Sequence, residues 1–460
     1  MSLNAETVGQ GFSFVMDEIG RLGAMGVGVM KHLEGLDFLC SIRGPDGRHF
    51  FTGRPAYNRL RELSTQALES SAHHRRISPD KAFQAVLEGF GRTYARKDFG
   101  GSTDAEDLRN LRGWIDEAAI ACVTLTHVIP CRIGLPEGQS FTLGPVTITA
   151  GATAVGSIEP RLKAWADDRL TEPGKDRTWD VDNTLSYLKA FQDLASVTID
   201  GCDPAMSKRA ATEAVQATLD YIHIMAGAGN TRKMRIGGPA LKGDRRARLA
   251  WTSDGEPNLG WSTRWEGANI EDEFWSWLVN DDQRAITEAA AAAVQTIVDR
   301  RKPELIAARY LDAAAWYADA AREQRPQAAV VKYLTAMERL LWTGESGEGI
   351  TARLAERAAA LCFNVDEWNF EALEKYVRAA YKLRSGIVHG SLAADSPVIL
   401  KNYRLCETVV RDMLITWLDR YGEGMNRPTT IKRAKIYFDG FVAQVRADLA
   451  QRATASSKQA

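Results

Sequence analysis

The feature that most constrains the fold of this sequence is a block of helix-forming segments between residue 271 and about residue 421. Apolar side chains recur there at steps of three and four residues, which places them on one face of an α-helix. The stretches between the segments are short and carry Gly or Pro. Because long amphipathic helices joined by short connections pack antiparallel, the sequence predicts a C-terminal helical bundle.

The bundle is predicted to contain at least five helices. The apolar pattern and the helix-breaking residues place them at residues 283–301, 304–323, 327–342, 350–362 and 367–390. A last helix is predicted from Pro397, with Ser396 as its N-cap, and it carries an apolar stripe up to Tyr421.

The first half of the chain mixes strands and helices. Residues 36–53 are predicted as two short strands around a Pro-Asp-Gly turn, and residues 123–151 alternate β-branched residues with turn signals. Ser78 and Pro79 are typical of the N-cap and the first position of a helix. The remaining segments are predicted as helices at 181–197 and 207–227 and as loops with a strand at 230–267.

The predicted fold class is α-dominated and α+β overall, with an antiparallel helical bundle behind a mixed α/β half. A chain of 460 residues is long enough for two or three domains. We predict an α+β region of unknown role at 1–180, a helical and loop region at 181–284 with a basic segment at 232–248, the bundle at 285–424, and a C-terminal helix with a disordered tail at 425–460.

The net charge and the cysteine content limit the kinds of partner and the cellular compartment that fit this sequence. The net charge is −1, so contact with a nucleic acid requires a local basic patch. The six cysteines are scattered without a CxxC pair, which fits a reducing cytosol and argues against a zinc ribbon. The start of the chain lacks a signal-peptide pattern, and its apolar stretch is too short to cross a bilayer. We therefore expect a cytoplasmic protein without a membrane partner.

The segment "YKLRSGIVHGS", residues 381–391, ends the helix predicted at 367–390 with polar residues. Arg384 lies seven positions after Val377 and so falls on the apolar face of that helix. A guanidinium on that face requires an anion, which could be a carboxylate, a phosphate or a partner chain. His389 follows five positions later, and Gly390 predicts the end of the helix, which would free His389 to move.

This segment resembles the R-x4-6-H motif of HEPN domains, and its surroundings resemble the Apea-like branch of that family. In that branch a Tyr precedes the Arg-Ser pair, His-Gly closes the motif, and upstream helices carry a Glu and an Arg. The corresponding residues here are Tyr381, Ser385, Glu338 in "TAMERLL" and Arg357 in "LAERAAAL". The resemblance covers about residues 285–421, and a weaker likeness extends over 181–284.

The resemblance implies a helical bundle that dimerises around the motif, so that two Arg-His pairs form one composite site. It implies a metal-independent endoribonuclease that uses no cofactor and acts as a toxin or antiviral (phage-defence) effector. Such an effector would be restrained until it is triggered, and an unknown trigger or an antitoxin is a further possible partner. The partners implied are RNA, including tRNA, and further copies of the chain in a homodimer or larger even homo-oligomer.

The chemistry implied for this site uses the residues of the motif. RNA carries an internal nucleophile, its 2′-OH. His389 could act as general base or acid, and Arg384 could hold the scissile phosphate and stabilise its developing charge. Ser385 would orient the site, at a position where the family more often has Asn or Asp. Glu338, Arg357 and Tyr381 would support this arrangement.

These residues also have a structural interpretation. Arg384 could simply pair with Glu338 inside the bundle, His389 could favour the C-terminal dipole of its helix, and Glu338 and Arg357 could be structural. The alternative function is a non-catalytic HEPN module that dimerises or binds a nucleotide or RNA, with the N-terminal half as a sensor. The sequence contains no GxSxG, HExxH or Walker A motif that would favour another enzyme class.

The basic segment 232–248 is a second candidate for contact with RNA. Its glycines and the nearby Trp251 suit a surface that follows a phosphate backbone, and a solvated loop is the alternative. Against one acidic residue, Asp244, it contains seven basic residues: Arg232, Lys233, Arg235, Lys242, Arg245, Arg246 and Arg248.

Overall fold

The computed structural model of this protein is dominated by helices and also contains antiparallel strand pairs, in agreement with the predicted α-dominated class. The residues that it describes are 3–25, 39–95, 101–168, 178–237, 244–251, 257–264, 269–300, 304–344, 349–363, 369–393, 396–422 and 430–457.

The chain forms two compact units. Unit 1 contains Met1–Thr126 and Thr198–Ala211, and unit 2 contains His127–Val197 and Thr212–Ala460. These limits differ from the predicted domain limits at 180, 284 and 424, because two strands and one helix each contain residues of both units.

Unit 1 packs its helices and a β-hairpin around an aromatic core. The rings of Phe12, Phe90, Tyr94 and Trp114 contact one another, with centroid distances of 4.9 to 6.1 Å. The predicted cap of the third helix is confirmed, because Ser78 Oγ accepts a hydrogen bond from the Lys81 N–H. Its elements are α1 (Ala5–Met25), β1 (Leu39–Arg43), β2 (His49–Gly53), α2 (Arg54–Ser70), α3 (Pro79–Tyr94) and α4 (Asp104–Ile120).

A five-stranded sheet follows, in the strand order β4 (Ser140–Leu143), β5 (Val146–Ala150), β6 (Asp193–Cys202), β3 (Val123–Arg132) and β7 (Arg235–Ile236). The region predicted to be richest in strands, 123–151, does supply three of them. Strand β4 contacts the first long helix of the bundle, and both belong to unit 2. The helices beside the strands are α5 (Gly151–Asp167), α6 (Thr178–Leu188), α7 (Pro204–Ala226) and α8 (Ala228–Thr231).

The prediction of one helix over residues 181–197 is wrong. Helix α6 ends at Leu188, and β6 begins at Asp193 and pairs antiparallel with β5. The β-branched residues that follow Ala195 favour a strand, and the backbone hydrogen bonds to β5 outweigh the three-residue apolar spacing. Leu194 is buried, but it is buried as a strand residue and not as part of a helical stripe.

The stretch predicted as loops with a strand contains a regular hairpin. Strand β8 (Asp244–Trp251) pairs antiparallel with β9 (Pro257–Arg264) over its whole length. The alternation of arginines with Ala247, Leu249 and Trp251 is a strand pattern that the surrounding glycines obscure in the sequence.

The predicted helices of the C-terminal block are present. The helix predicted at 350–362 has these bounds in the structure, and the others agree within three residues at each end. The elements are α9 (Asp272–Leu278), a 3-10 turn (Asp281–Gln283), α10 (Arg284–Val298), α11 (Leu305–Arg322), α12 (Pro326–Leu341), α13 (Ile350–Cys362), α14 (Phe370–Val388), α15 (Pro397–Gly422) and α16 (Ile431–Ser457).

Side-chain contacts establish that α11 and α12 run antiparallel. Arg309, near the start of α11, donates hydrogen bonds to the carbonyls of Arg339 and Leu340 at the end of α12. Helix α16 extends to Ser457, into the stretch predicted as a disordered tail. Among the helices that the structure describes, none combines the length and the apolar character needed to cross a bilayer.

Candidate functional site

Helix α14 carries the motif that the sequence singles out. Its N-cap is Asn369, whose side-chain oxygen accepts a hydrogen bond from the Ala372 N–H at 3.0 Å. The predicted apolar face is buried at Leu373, Val377 and Ala380, which are at most 2% exposed. This face fixes the rotation of the helix, and therefore the direction in which the motif residues project.

The end of α14 exposes His389 and Ser385. His389 is the C-cap, and its N–H donates to the Ser385 carbonyl at 2.9 Å. Gly390 then adopts φ +72, a left-handed conformation that is strained for residues with a side chain. The predicted helix stop at Gly390 is thus confirmed, and it leaves the imidazole of His389 at the protein surface.

Arg384 projects toward α12 and meets Glu338 there. Each terminal nitrogen of the guanidinium lies 3.3 Å from one oxygen of the Glu338 carboxylate, which makes a bidentate pair. The pair is partly buried, with 33% of the Arg384 side chain and 27% of the Glu338 side chain exposed. The anion that the position of Arg384 requires is therefore supplied from within the chain.

Burial sets the electrostatics around this pair. Burial raises the pKa of the Glu338 carboxyl, and the positive charge of Arg384 opposes that rise. The phenol of Tyr381 is also buried, and burial together with the negative charge of Glu338 raises its pKa. Its hydroxyl faces the carboxylate without a hydrogen bond of ordinary geometry. Tyr381 thus closes one side of the pair and limits its contact with water.

Arg357 has a structural position. Its side chain is 2% exposed, and it donates hydrogen bonds to the Leu341 carbonyl at 3.0 Å, to Thr343 Oγ1 at 3.1 Å and to Asp439 Oδ1 at 2.9 Å. The guanidinium also lies 5.4 Å from the centroid of the Phe438 ring. Arg357 therefore caps the end of α12 and holds α16 against α13, which agrees with its structural interpretation.

The predicted site residues fall into three groups. Arg384, Glu338 and Tyr381 are in contact between α12 and α14. Ser385 and His389 are exposed at the end of α14, and Arg357 is buried elsewhere in the bundle. The pairing of Arg384 with Glu338 corresponds to the structural alternative, and the exposed His389 is compatible with either function.

The basic segment does not form one loop. Arg232 donates a hydrogen bond to the Tyr403 hydroxyl of α15 at 2.9 Å, and Arg235 belongs to β7. Lys233 precedes β7, and Lys242 lies outside the described residues. The last three predicted contacts, Arg245, Arg246 and Arg248, lie on β8 opposite Thr263, Ser262 and Gly260 of β9.

One buried polar cluster has no motif in the sequence. His223 and Asp220 lie on α7, and both contact Arg322 of α11, at 3.1 Å and 3.8 Å. Burial lowers the pKa of His223 to about 3 and raises the pKa of Asp220 to about 7. The three-residue spacing of Asp220 and His223 puts them on one helix face and is the sequence signal that indicates the cluster.

A cavity of 650 Å³ lies beside β3 and the start of α5. Arg132, which is 1% exposed, lines it and places its guanidinium 4.7 Å from the centroid of the Phe191 ring. Lys189 also lines the cavity and pairs with Glu159 at 2.8 Å. In the sequence Arg132 lies within a strand pattern, so it carries no signal of its own.

Comparisons with known proteins add no family. No family model matches the chain, no curated protein matches its sequence, and no solved structure matches its fold. Within the described part of the chain, no group of three or more His, Cys, Asp or Glu side chains is arranged to hold a metal ion.

Proposed function

We propose that this chain is a metal-independent endoribonuclease of the HEPN type, with a helical bundle of that family at 285–424. The observation that carries the proposal is the placement of two functional groups toward one end of α14. Arg384 keeps 33% of its side chain exposed, and the exposed His389 follows at the C-cap. A guanidinium for the phosphate and an imidazole for proton transfer are the two groups that such a reaction needs.

The reaction uses the 2′-OH of the RNA as nucleophile. The imidazole of His389 removes the proton of the 2′-OH, and the oxygen attacks the adjacent phosphorus. Arg384 donates hydrogen bonds to the phosphate oxygens while their negative charge increases. The P–O5′ bond breaks, and the 5′-oxygen takes a proton from the His389 of a second copy. The products are a 2′,3′-cyclic phosphate and a free 5′-OH.

A second copy of the chain completes this site. Three large apolar side chains, Val388, Val398 and Leu400, are more than half exposed at the end of α14 and the start of α15. Val388 directly precedes His389 in the chain, and exposed apolar side chains suit contact with another protomer. We expect a homodimer or larger even oligomer, and static light scattering at micromolar concentration measures it. A monomer that retains full activity would contradict the composite site.

In the structure the carboxylate of Glu338 binds the guanidinium that must bind the phosphate. This internal pair supports an effector that stays restrained until a trigger acts or an antitoxin is lost. We propose a toxin or antiviral effector in the cytoplasm, acting on RNA such as tRNA.

The test uses the purified full chain and end-labelled tRNA or total RNA, with and without EDTA. We expect cleavage that survives EDTA, 2′,3′-cyclic phosphate ends, no action on DNA, and loss of cleavage in Arg384→Ala and in His389→Ala. Arg378→Ala is the matched control, because Arg378 lies on the same helix, is 43% exposed and pairs with Glu374. Products with a 5′-phosphate, or loss of activity on chelation, would exclude this mechanism.

Growth of cells that express the protein tests the same site when the trigger is present only in vivo. We expect wild-type protein to arrest growth and His389→Ala to restore it at equal expression. Equal growth with both proteins, together with inactivity on RNA in vitro, would favour the second candidate function.

The second candidate is a non-catalytic module that binds a small anionic ligand, and the cavity beside Arg132 favours it. Arg132 and Lys189 both line the cavity, so a phosphate or carboxylate group bound there would compete with Glu159 for Lys189. Gly156→Leu adds a side chain at the wall of the cavity, since Gly156 lines it and a Cβ there meets nothing within 4 Å. Gly113→Leu is the control, at another helical glycine with free space. Loss of thermal stabilisation by nucleoside monophosphates only in Gly156→Leu would support this candidate.

A further inference from the structure

The side of α14 opposite its apolar face carries two lysines in line with His389. Lys382 precedes His389 by seven residues, and Lys375 precedes Lys382 by seven. Because seven residues of an α-helix fall only about 20° short of two full turns, the three side chains start from nearly the same side of the helix. His389 keeps the helical register, since its N–H donates to the Ser385 carbonyl at 2.9 Å. We call Lys375 and Lys382 the lysine stripe.

The packing of α14 directs the lysine stripe away from the bundle. Val377 is fully buried, and Lys382 lies five residues later, about 140° further round the helix. Lys375, Lys382 and His389 are all exposed. Arg384, two residues after Lys382, instead points toward α12. The lysine stripe is therefore continuous with His389 along the exposed side of α14.

The charge of the two lysines is available to a ligand. Within the residues that the structure describes, neither ammonium group forms an ion pair. Arg378 lies between the two lysines in the chain and pairs with Glu374, which offsets its charge. Glu371, four residues before Lys375, ends the row of cations near the start of the helix. An anion that binds the lysine stripe therefore displaces no carboxylate of the described chain.

The spacing of the lysine stripe suits a polyanion. Seven residues of an α-helix advance by about 10 Å, so the Cα atoms of the two lysines are about that far apart. Neighbouring phosphates of one strand can contact both ammonium groups on extended side chains, whereas one small anion would require two like charges to converge. Because the lysine ammonium is a compact point charge, such contacts position a strand without selecting its bases.

We propose that the lysine stripe binds the sugar–phosphate backbone of the single-stranded RNA substrate, on the segment that extends from the nucleotide at His389. This inference rests on the proposed ribonuclease function. Charge complementarity supports it, because RNA carries a negative charge at each phosphate and the stripe is cationic. Continuity also supports it, because the stripe and His389 lie on one exposed side of α14.

The experiment measures binding and cleavage separately. The substitutions are Lys375→Gln, Lys382→Gln and the two together, with Lys432→Gln as the control at an exposed lysine of α16. Fluorescence anisotropy measures the binding of a labelled single-stranded RNA between about 50 and about 200 mM salt. Each substitution is also combined with His389→Ala for this measurement, so that the RNA stays intact. KM and kcat for cleavage are measured with His389 in place.

We expect each single substitution to weaken RNA binding by about fivefold, and the double substitution by about 25-fold, because the two contacts are independent. The slope of log affinity against log salt concentration should become shallower by about 0.7 for each lysine, since each phosphate contact on a single strand releases counterions. KM should rise by the same factors, with kcat changed much less, because the contacts are distant from the reacting bond. Lys432→Gln should keep the wild-type affinity and slope.

The outcomes separate this inference from the proposed function. Cleavage that needs His389, with equal KM and equal salt slope in the double variant and in Lys432→Gln, would overturn the stripe and leave the nuclease standing. Binding that weakens in the double variant with a shallower slope, without cleavage by any protein, would overturn the nuclease and support the stripe. A weaker affinity with an unchanged slope would overturn the stripe, because the lost contact would then not be ionic. Failure of the wild-type chain to bind RNA at low salt would overturn it as well.

Discussion

The guanidinium of Arg384 and the carboxylate of Glu338 form a bidentate pair, with both nitrogen–oxygen distances at 3.3 Å. The pair joins α12 to α14 at the bundle end that carries His389. Because both side chains are about one-third exposed, water screens the pair and its contribution to stability is small, on the order of 1 kcal/mol or less. In the reaction that we propose, a phosphate of RNA can therefore compete with Glu338 for the arginine.

Removing the charge of Glu338 should increase activity. Glu338→Gln keeps the shape of the side chain and takes away the internal competitor, so we expect affinity for RNA and the cleavage rate to rise by about fivefold. Initial rates at low RNA concentration measure the effect. Glu356→Gln is the control, because Glu356 pairs with Arg446 elsewhere in the bundle. A rate that falls in Glu338→Gln would mean that the pair orients Arg384 for the reaction and does not restrain it.

Replacing Arg384 by lysine should reduce cleavage although the charge is kept. Lysine presents a single ammonium in place of the planar fork, so two parallel hydrogen bonds to the phosphate are lost. We expect a loss of at least about tenfold in kcat/KM. Circular dichroism and a urea transition close to that of the wild-type chain provide the folding control. An unchanged kcat/KM would remove Arg384 from the catalytic site.

Arg357 should matter for stability and not directly for chemistry. Arg357→Ala leaves the Leu341 carbonyl and Thr343 without these hydrogen bonds and removes one of the two cations that bind Asp439, the other being Lys435, so we expect about 3 kcal/mol of lost unfolding free energy. Urea denaturation measures the loss. Arg353→Ala, at an exposed arginine of the same helix, should change the unfolding free energy by less than about 0.5 kcal/mol. Equal losses in the two variants would contradict the structural role.

The buried Asp220 and His223 should make stability depend on pH in opposite directions. Burial raises the pKa of Asp220 from 3.8 to about 7, although the positive charge of Arg322 opposes this rise. The contribution of Asp220 to stability is therefore lost as pH rises through this range. Burial and Arg322 lower the pKa of His223 from 6.5 to about 3, so its contribution is lost as pH falls below 6.5. Between these limits the two slopes partly cancel.

Asp220→Asn should therefore separate the two contributions. The substitution removes the cost of the buried charge at high pH, so relative to wild type it should be about 2 kcal/mol more favourable at pH 8 than at pH 5. Urea denaturation at both pH values measures the difference. Asp319→Asn, which changes an exposed partner of Arg322, serves as the control and should show no such gain. A pH-independent effect of Asp220→Asn would mean that the carboxyl is charged throughout.

The helices of the bundle could be predicted from the sequence because their apolar faces and their helix-breaking residues are local signals. The end of α14 just before Gly390 and the cap at Ser78 follow from the conformational preferences of single residues. Strand β6 could not be predicted from the sequence, because its apolar residues also fit a helical spacing until the pairing with β5 is known. Local pattern cannot include hydrogen bonds to a strand more than 40 residues away.

Part of the candidate site could likewise be predicted from the sequence, and part of it could not. The sequence placed Arg384 on the inner face of its helix and named Glu338 as one possible partner, and the structure brings these two together. Glu338 also lines a cavity of 470 Å³, which could not be predicted because three separate helix ends form it. Arg132 was missed for a similar reason, since its burial depends on the segment around Phe191, which contacts it only in the folded chain.

The C-terminal helix α16 determines where the chain can be truncated without destabilising the bundle. Asp439 binds the buried Arg357, Arg446 binds Glu356, and Phe438 packs its ring against Trp417 of α15. A fragment that ends at residue 424 would expose these partners and leave a buried arginine without its counter-ion. The bundle and α16 should therefore unfold as one cooperative block. Proteolytic cleavage within α16 should destabilise the whole block instead of removing a passive tail.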